Sequence, residues 1–210
     1  MAKEEITSGV SKVSTVLKVA GICGLVAPIL AFVCILSAIS SYAPFNWVTN
    51  ALSDLGVQAG FTAPIFNFGL VISGFLFLVF AVGVFQLVSK RLAGKVGAFF
   101  LGLACVSLVC IGIFNESFKP IHFYFSVAFF VFLPVSFLLL AGHFWLTDQR
   151  KMSLFTLVIG LAAATPWVLQ YTVHYVSNVA IPEFVSAFAG SLWTAILGAK
   201  IMKKSSQSKN

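Results

Sequence analysis

Six runs of some twenty or more predominantly apolar residues, separated by short polar connections, leave this chain few ways to fold. Each run is long enough to cross a hydrocarbon layer of ~30 Å as a helix. Within lipid the backbone must satisfy its own N–H and C=O groups, which only helices and closed barrels achieve. A barrel would show alternating segments of ~10 residues, whereas these runs are continuous. The expected fold is therefore all-α, a polytopic membrane protein of six transmembrane helices. Its spans are read as Leu17 to Ser40, Pro64 to Val88, Val96 to Phe114, Ile121 to Leu146, Ser153 to Val176 and Glu183 to Ile201. Only 9% of the residues are charged, against about 25% in soluble domains. Residues 1–16 read as a polar N-terminal tail, 17–201 as the transmembrane domain and 202–210 as a basic C-terminal tail. The first run is too long for a removable signal peptide and lacks a small-residue cleavage pattern, so it is expected to stay as a span.

Lysine and arginine set the expected orientation, because basic loops stay on the cytoplasmic side. With both termini cytoplasmic, the N-terminal lysines, Lys90, Arg91, Lys95, Arg150, Lys151, Lys200, Lys203 and Lys204 all fall inside, and only Lys119 falls outside. The net charge of +7 then reports topology. Nucleic acid is not an expected partner, since its binding surfaces gather basic residues on a soluble face. The expected location is the cell membrane, as a multi-pass protein whose surroundings are membrane lipids. Cys23, Cys34, Cys105 and Cys110 all lie within apolar runs and read as small hydrophobes, with no disulfide or metal framework implied.

The stretch Asn46-Trp47-Val48-Thr49-Asn50-Ala51-Leu52-Ser53-Asp54-Leu55-Gly56, between the first two spans, holds the only carboxylate of the first hundred residues outside the N-terminal tail. As a helix it would place Trp47, Val48, Ala51, Leu52 and Leu55 on one face and Asn46, Asn50, Ser53 and Asp54 on the other. That pattern predicts a short helix lying on the membrane surface.

The same topology gathers scarce ionisable residues. Three of the six acids, Asp54, Glu116 and Glu183, fall one to each outer connection, and two of the three histidines, His122 and His174, flank them. Ionisable groups at membrane depth mark functional sites more often than surface ones. Asp54, Glu116, His122 and His174 are thus the candidates for catalysis, as general bases and acids toward Ser53 or water. Asn50, Ser53, Asn67, Lys119, Gln170 and Glu183 are candidate ligand contacts, with Lys119 near a headgroup phosphate. Carboxylates with imidazoles can also hold a divalent metal that polarises phosphate or activates water. Each residue also has a plain structural reading: Ser53 or Asn46 as a helix cap, Glu183 after Pro182 as a first-turn acid, and the others as solvated loop ends. His143, near the inner interface, reads as structural.

No span carries a carboxylate, lysine or arginine near its midpoint, which disfavours an ion-coupled carrier. Nucleotide-binding loops and zinc-protease histidine pairs are absent. In the sixth span Ala187, Ser191, Ala195 and Ala199, and likewise Ser186, Gly190, Thr194 and Gly198, recur every fourth residue. Such small-residue stripes let helices approach closely. Two functions are therefore expected: an extracytoplasmic polar pocket that binds or processes a lipid headgroup, as a metal-assisted or acid/base hydrolase if it is an enzyme, or a noncatalytic assembly subunit that docks on partner helices or a second copy through the sixth span.

The segments Asn50-Ala51-Leu52-Ser53-Asp54-Leu55-Gly56, Phe66-Asn67-Phe68-Gly69-Leu70, Gly112-Ile113-Phe114-Asn115-Glu116, His122 and Ile181-Pro182-Glu183 resemble a family of six-span, largely archaeal and bacterial membrane proteins catalogued as a domain of unknown function. The resemblance spans nearly all of the chain after the N-terminal tail. It implies a six-helix membrane fold with outer polar motifs and supplies no activity. Ser, Asp and His near one membrane face are also similar to ceramidase-like hydrolases, but the closely spaced histidine pair of that group's last span has no counterpart here, so no amidase mechanism is implied.

Overall fold

The computed structural model describes the backbone of residues 2–89 and 91–207 and the side chains of 15–89 and 91–203. Lys90 lies outside the described residues, as do the side chains of Lys3, Lys12 and Lys204. The described chain is all-helical: α1 (Ala2–Ser41), α2 (Thr62–Val88), α3 (Leu92–Ile113), α4 (Ile121–Leu146), α5 (Arg150–Val173) and α6 (Ala180–Gln207). All six contain segments long and apolar enough to cross a membrane. Each packs mainly on its neighbours in the chain, and α6 returns to α1. The result is an up-and-down ring in which both termini lie at one end, called proximal here, and the three longer-range connections meet at the other, the distal end.

Trp193 of α6 fills the middle of the ring, fully buried with Phe80 and Phe137 against it, ring centroids 6.0 and 4.9 Å away. Its indole N–H donates to Thr156 Oγ1 at 2.9 Å, the partner that a buried tryptophan needs. Ser136 and Ser153 tie α4 to α3 and α5 by donating to the Gly97 and Ala141 carbonyls, each at 2.8 Å. In α6 the stripe Ser186, Gly190, Thr194 and Gly198 is turned inward. A Cβ on Gly198 would come within 2.9 Å of the Gly21 carbonyl oxygen and 3.3 Å of the Gly24 Cα, so α1 and α6 meet backbone to backbone. Much of the small-residue face is therefore used for packing within this chain.

Several helix bounds differ from expectation. α1 already begins at Ala2 and α6 runs on to Gln207, into the stretches expected as tails, while α3 begins at Leu92, α5 at Arg150 and α6 at Ala180, each about a turn early. α5 stops at Val173 instead of Val176, because His174 adopts the left-handed conformation (φ 54°) and its N–H makes the last helical bond, to the Gln170 carbonyl at 3.1 Å. That is a C-terminal cap.

The connection between α1 and α2 departs most. A helix over Asn46 to Gly56 does not form; the only helical piece is a 3-10 turn at Ser53–Val57, and it is sunk into the bundle instead of lying on its surface. Short polar side chains compete for the backbone here. Asn46 Oδ1 accepts from the Val48 and Thr49 N–H groups at 2.8 and 3.3 Å, and Asp54 Oδ2 accepts from the Ala51 N–H at 3.0 Å. Ala51, Leu52, Ser53 and Leu55 are buried, while Trp47 and Val48 are exposed. The segment is a re-entrant wedge, pinched at its neck where Ser41 Oγ and Thr62 Oγ1 lie 2.8 Å apart across the ends of α1 and α2.

Candidate functional site

The wedge brings the distal residues together. Its tip is held from three sides. Glu183, in the first turn of α6 and itself buried, accepts from the Leu52 N–H through Oε2 at 2.6 Å, with the Ser53 N–H beside it. Ser53 donates from Oγ to Glu116 Oε1 at 2.9 Å, joining the wedge to the connection between α3 and α4. Asn67 of α2 donates from Nδ2 to the Gly56 carbonyl at 2.8 Å. Further out, the connection between α5 and α6 runs along residues 48–50: Asn178 N–H donates to the Val48 carbonyl at 2.9 Å, Ala180 N–H to the Asn50 carbonyl at 3.0 Å, and Asn178 Nδ2 to the Thr49 carbonyl at 3.2 Å.

Glu116 and Asp54 are electrostatic neighbours of Glu183, so three carboxylates meet within one distal site. Asp54 is fixed through Oδ2, which also accepts from Asn50 Nδ2 at 2.7 Å. His122, in the first turn of α4, is buried. Its Nδ1 lies 2.7 Å from the Phe114 carbonyl oxygen, which can only accept, so Nδ1 carries a proton. In the tautomer with its proton on Nδ1, Nε2 is the acceptor for Ser126 Oγ, at 3.3 Å.

These groups form the polar end of a cleft of about 930 Å³ between α4 and α5, within the range of small-molecule sites. Ser53, Asp54, Glu116, Lys119, His122 and Glu183 line that end. Its long walls are apolar: Phe123, Val127 and Val131 of α4 face Trp167 and Val168 of α5. Phe123, Val127, Val131 and Val168 are also exposed on the outside of the ring, so the cleft opens sideways where lipid would lie. Trp167 is braced by its N–H, 3.0 Å from Ser186 Oγ, and by Phe130, ring centroids 4.5 Å apart. A second cavity, about 90 Å³, continues inward from Ser53, Ser126, Phe130 and Glu183, which line both.

Asn50 and Asn67 brace the wedge and do not line the cleft. Gln170 is buried but turned to its own helix end, its Nε2 donating to the Val176 carbonyl at 2.9 Å. His174, expected to sit more deeply and share a face with Gln170 and Tyr171, is exposed and outside the cleft wall, because α5 has already ended. Among the described residues no three His, Cys, Asp or Glu side chains are grouped to hold a metal ion. Ser126, Phe130, Trp167 and Asn178 were not among the expected site residues. Ser126, one turn beyond His122, had a readable signal in that spacing. Asn178 had none, since its role is to bond a backbone distant in sequence.

Chemically the site is rich in fixed acceptors. An acyl-transfer centre needs donors aimed at a developing oxyanion, yet the hydroxyls of Ser53 and Ser126 are directed at Glu116 and His122. The carboxylates of Asp54 and Glu116 beside it would oppose such an anion further.

Fold and site together define a multi-pass integral membrane protein with a polar cluster at the end of the helix ring opposite its termini. The family model described as "Protein of unknown function (DUF998)" matches residues 25–200, most of the chain, which therefore belongs to that family. No curated protein and no solved structure matches it.

Proposed function

We propose that this protein binds a single-chain or lipid-like amphiphile, its headgroup at the carboxylate cluster and its tail along the cleft between α4 and α5. The observation that carries the reading is the cleft itself: one continuous space polar at the wedge and apolar along both walls, open on the side that lipid covers. Size decides where the tail goes. The inner cavity of about 90 Å³ has room for about three water-sized groups, too little for an acyl chain, so the tail lies in the outer cleft. The membrane is the cell membrane and the distal end faces away from the cytoplasm, as the placement of basic residues supports.

Val168 is 59% exposed on the cleft wall, so V168W can fill the cleft without disturbing the core. Mass analysis of lipid retained through detergent purification is expected to show an amphiphile on the wild type that falls at least fivefold in V168W at unchanged melting temperature, on the order of 1 kcal/mol of lost binding. Equal retention by both proteins would remove the cleft from consideration. For orientation, K119C is expected to react with a membrane-impermeant thiol reagent on intact cells and R150C only after permeabilisation. The reverse pattern inverts the topology.

A further inference from the structure

We infer that the headgroup taken by this cleft is a protonated amine that donates N–H bonds, an inference that rests on the amphiphile-binding reading above and adds the charge and hydrogen-bonding sense of the ligand. The argument is an inventory of the polar end. The side-chain donors of the wall are already engaged within the protein. Ser53 donates to Glu116, Ser126 is directed at His122, and His122 uses its Nδ1 proton on the Phe114 carbonyl. Trp167 is directed at Ser186, Thr172 at the Val168 carbonyl, and Asn178 at the Thr49 carbonyl. The Lys119 ammonium and the Tyr171 hydroxyl remain, both on exposed residues at the rim.

Acceptors are in surplus. Glu116 accepts through Oε1 and Asp54 through Oδ2, so among the described residues Glu116 Oε2 and Asp54 Oδ1 have no bond within the protein. The third acid, Glu183, is buried with its Oε2 engaged by the Leu52 N–H, so the surplus rests on Glu116 and Asp54. A phosphate or carboxylate headgroup would bring more acceptors to a site that has few donors to give it. An ammonium brings donors and a positive charge, and bonds between charged donors and carboxylates are about twice as strong as neutral ones.

The test is equilibrium binding to the purified full-length protein in phosphatidylcholine nanodiscs, with probes that share one tail: dodecylamine, dodecyltrimethylammonium, dodecanol and dodecanoate, with butylamine as the tailless amine. Dodecylamine is expected to bind roughly tenfold more tightly than dodecanol, the trimethylammonium probe between them because it keeps the charge without N–H donors, and dodecanoate and butylamine weakest. E116Q keeps an oxygen for Ser53 and removes the charge, so the preference for dodecylamine over dodecanol should fall several-fold; an undiminished preference in folded E116Q overturns the amine assignment. K119A removes the ammonium at the rim, so dodecylamine should bind more tightly and dodecanoate more weakly than to the wild type.

If dodecylamine and dodecanol bind equally, or dodecanoate binds best, the amine assignment is overturned while the cleft reading stands. If no probe binds the wild type better than V168W, or butylamine matches dodecylamine, the cleft reading itself is wrong. An unfolded E116Q transfers the decision to the probe series on wild type and K119A, which suffices by itself.

Discussion

Replacing Glu183 by leucine is expected to release the re-entrant wedge while leaving the six helices in place. The Glu183 carboxylate is the partner of the Leu52 N–H at 2.6 Å, and Leu52 and Glu183 are both buried, at 5% and 7% exposure. Leucine fills the same space and accepts nothing. A buried N–H without a partner costs about 1–3 kcal/mol, and the chain escapes that cost by lifting the tip toward water. Lifting it also breaks the bond from Ser53 to Glu116, so the loss is shared between two of the three distal connections. Hydrogen exchange at residues 51–57 in E183L should quicken roughly tenfold or more relative to the wild type, with the midspan amides of α2 to α5 unaffected. E183Q retains a carbonyl oxygen for the Leu52 N–H and should exchange like the wild type. Equal exchange in E183L and wild type would show that apolar contacts of Leu52 and Leu55 alone hold the wedge.

The contrast between E183L and E183Q matters because the wedge is where reading the sequence was least able to anticipate the structure. Six helices could be read directly, since each span is a run whose hydropathy alone demands burial in lipid. α4 runs from Ile121 to Leu146 as read, whereas the starts of α3, α5 and α6 and the end of α5 lie about a turn from where they were read. The runs are uniform in character, and what stops α5 is a backbone event at His174, not a change in composition. The gathering of Asp54, Glu116, Glu183 and His122 was legible for a different reason: acids are so few in this chain that the topology alone sorted them to one end. Their geometry was not legible. Residues 46–56 have a helical hydrophobic period, yet Asn46, Asn50 and Asp54 bond the local backbone and the carboxylate of a residue far along the chain captures the Leu52 N–H. Periodicity reports which side chains prefer burial; it does not report a tertiary acceptor waiting at the other end of the sequence. The apolar members Ala51, Leu52 and Leu55 are indeed buried, in a segment that is not the expected helix.

The second large effect is expected where α1 packs closely on α2. A Cβ on Gly83 would lie far inside contact distance of the Ala20 Cβ, and a Cβ on Gly69 would do the same to Cys34. Carbon atoms in good contact are ~3.5–4.0 Å apart, and a Cβ cannot rotate away, so G83A must push the two helices apart by more than a few tenths of an ångström. Overpacking of that kind costs about 1–3 kcal/mol. It acts against a gain of about 1 kcal/mol from the better helix propensity of alanine. G83A should therefore lower the melting temperature, and G102A, whose Cβ would meet nothing within 4 Å, should not. The decisive variant is A20G/G83A. Exchanging which helix carries the methyl group leaves the summed propensity unchanged and removes the overlap, since the remaining contact of the Gly83 site, the Ala20 Cα at 3.8 Å, is ordinary. Stability should return to near the wild type, giving a coupling of about 2 kcal/mol between two positions that are each less stable alone. Ala20 and Gly83 lie about twenty residues, roughly 30 Å of helix, from the Ser41 and Thr62 hydroxyls that bond across the neck, so hydrogen exchange in the wedge should be alike in G83A, the double variant and the wild type. Quickened exchange there in G83A alone would show that the spacing of α1 and α2 is transmitted along the whole pair, and that the distal hydrogen bonds of Glu183, Asn67 and Asn178 do not hold the wedge by themselves.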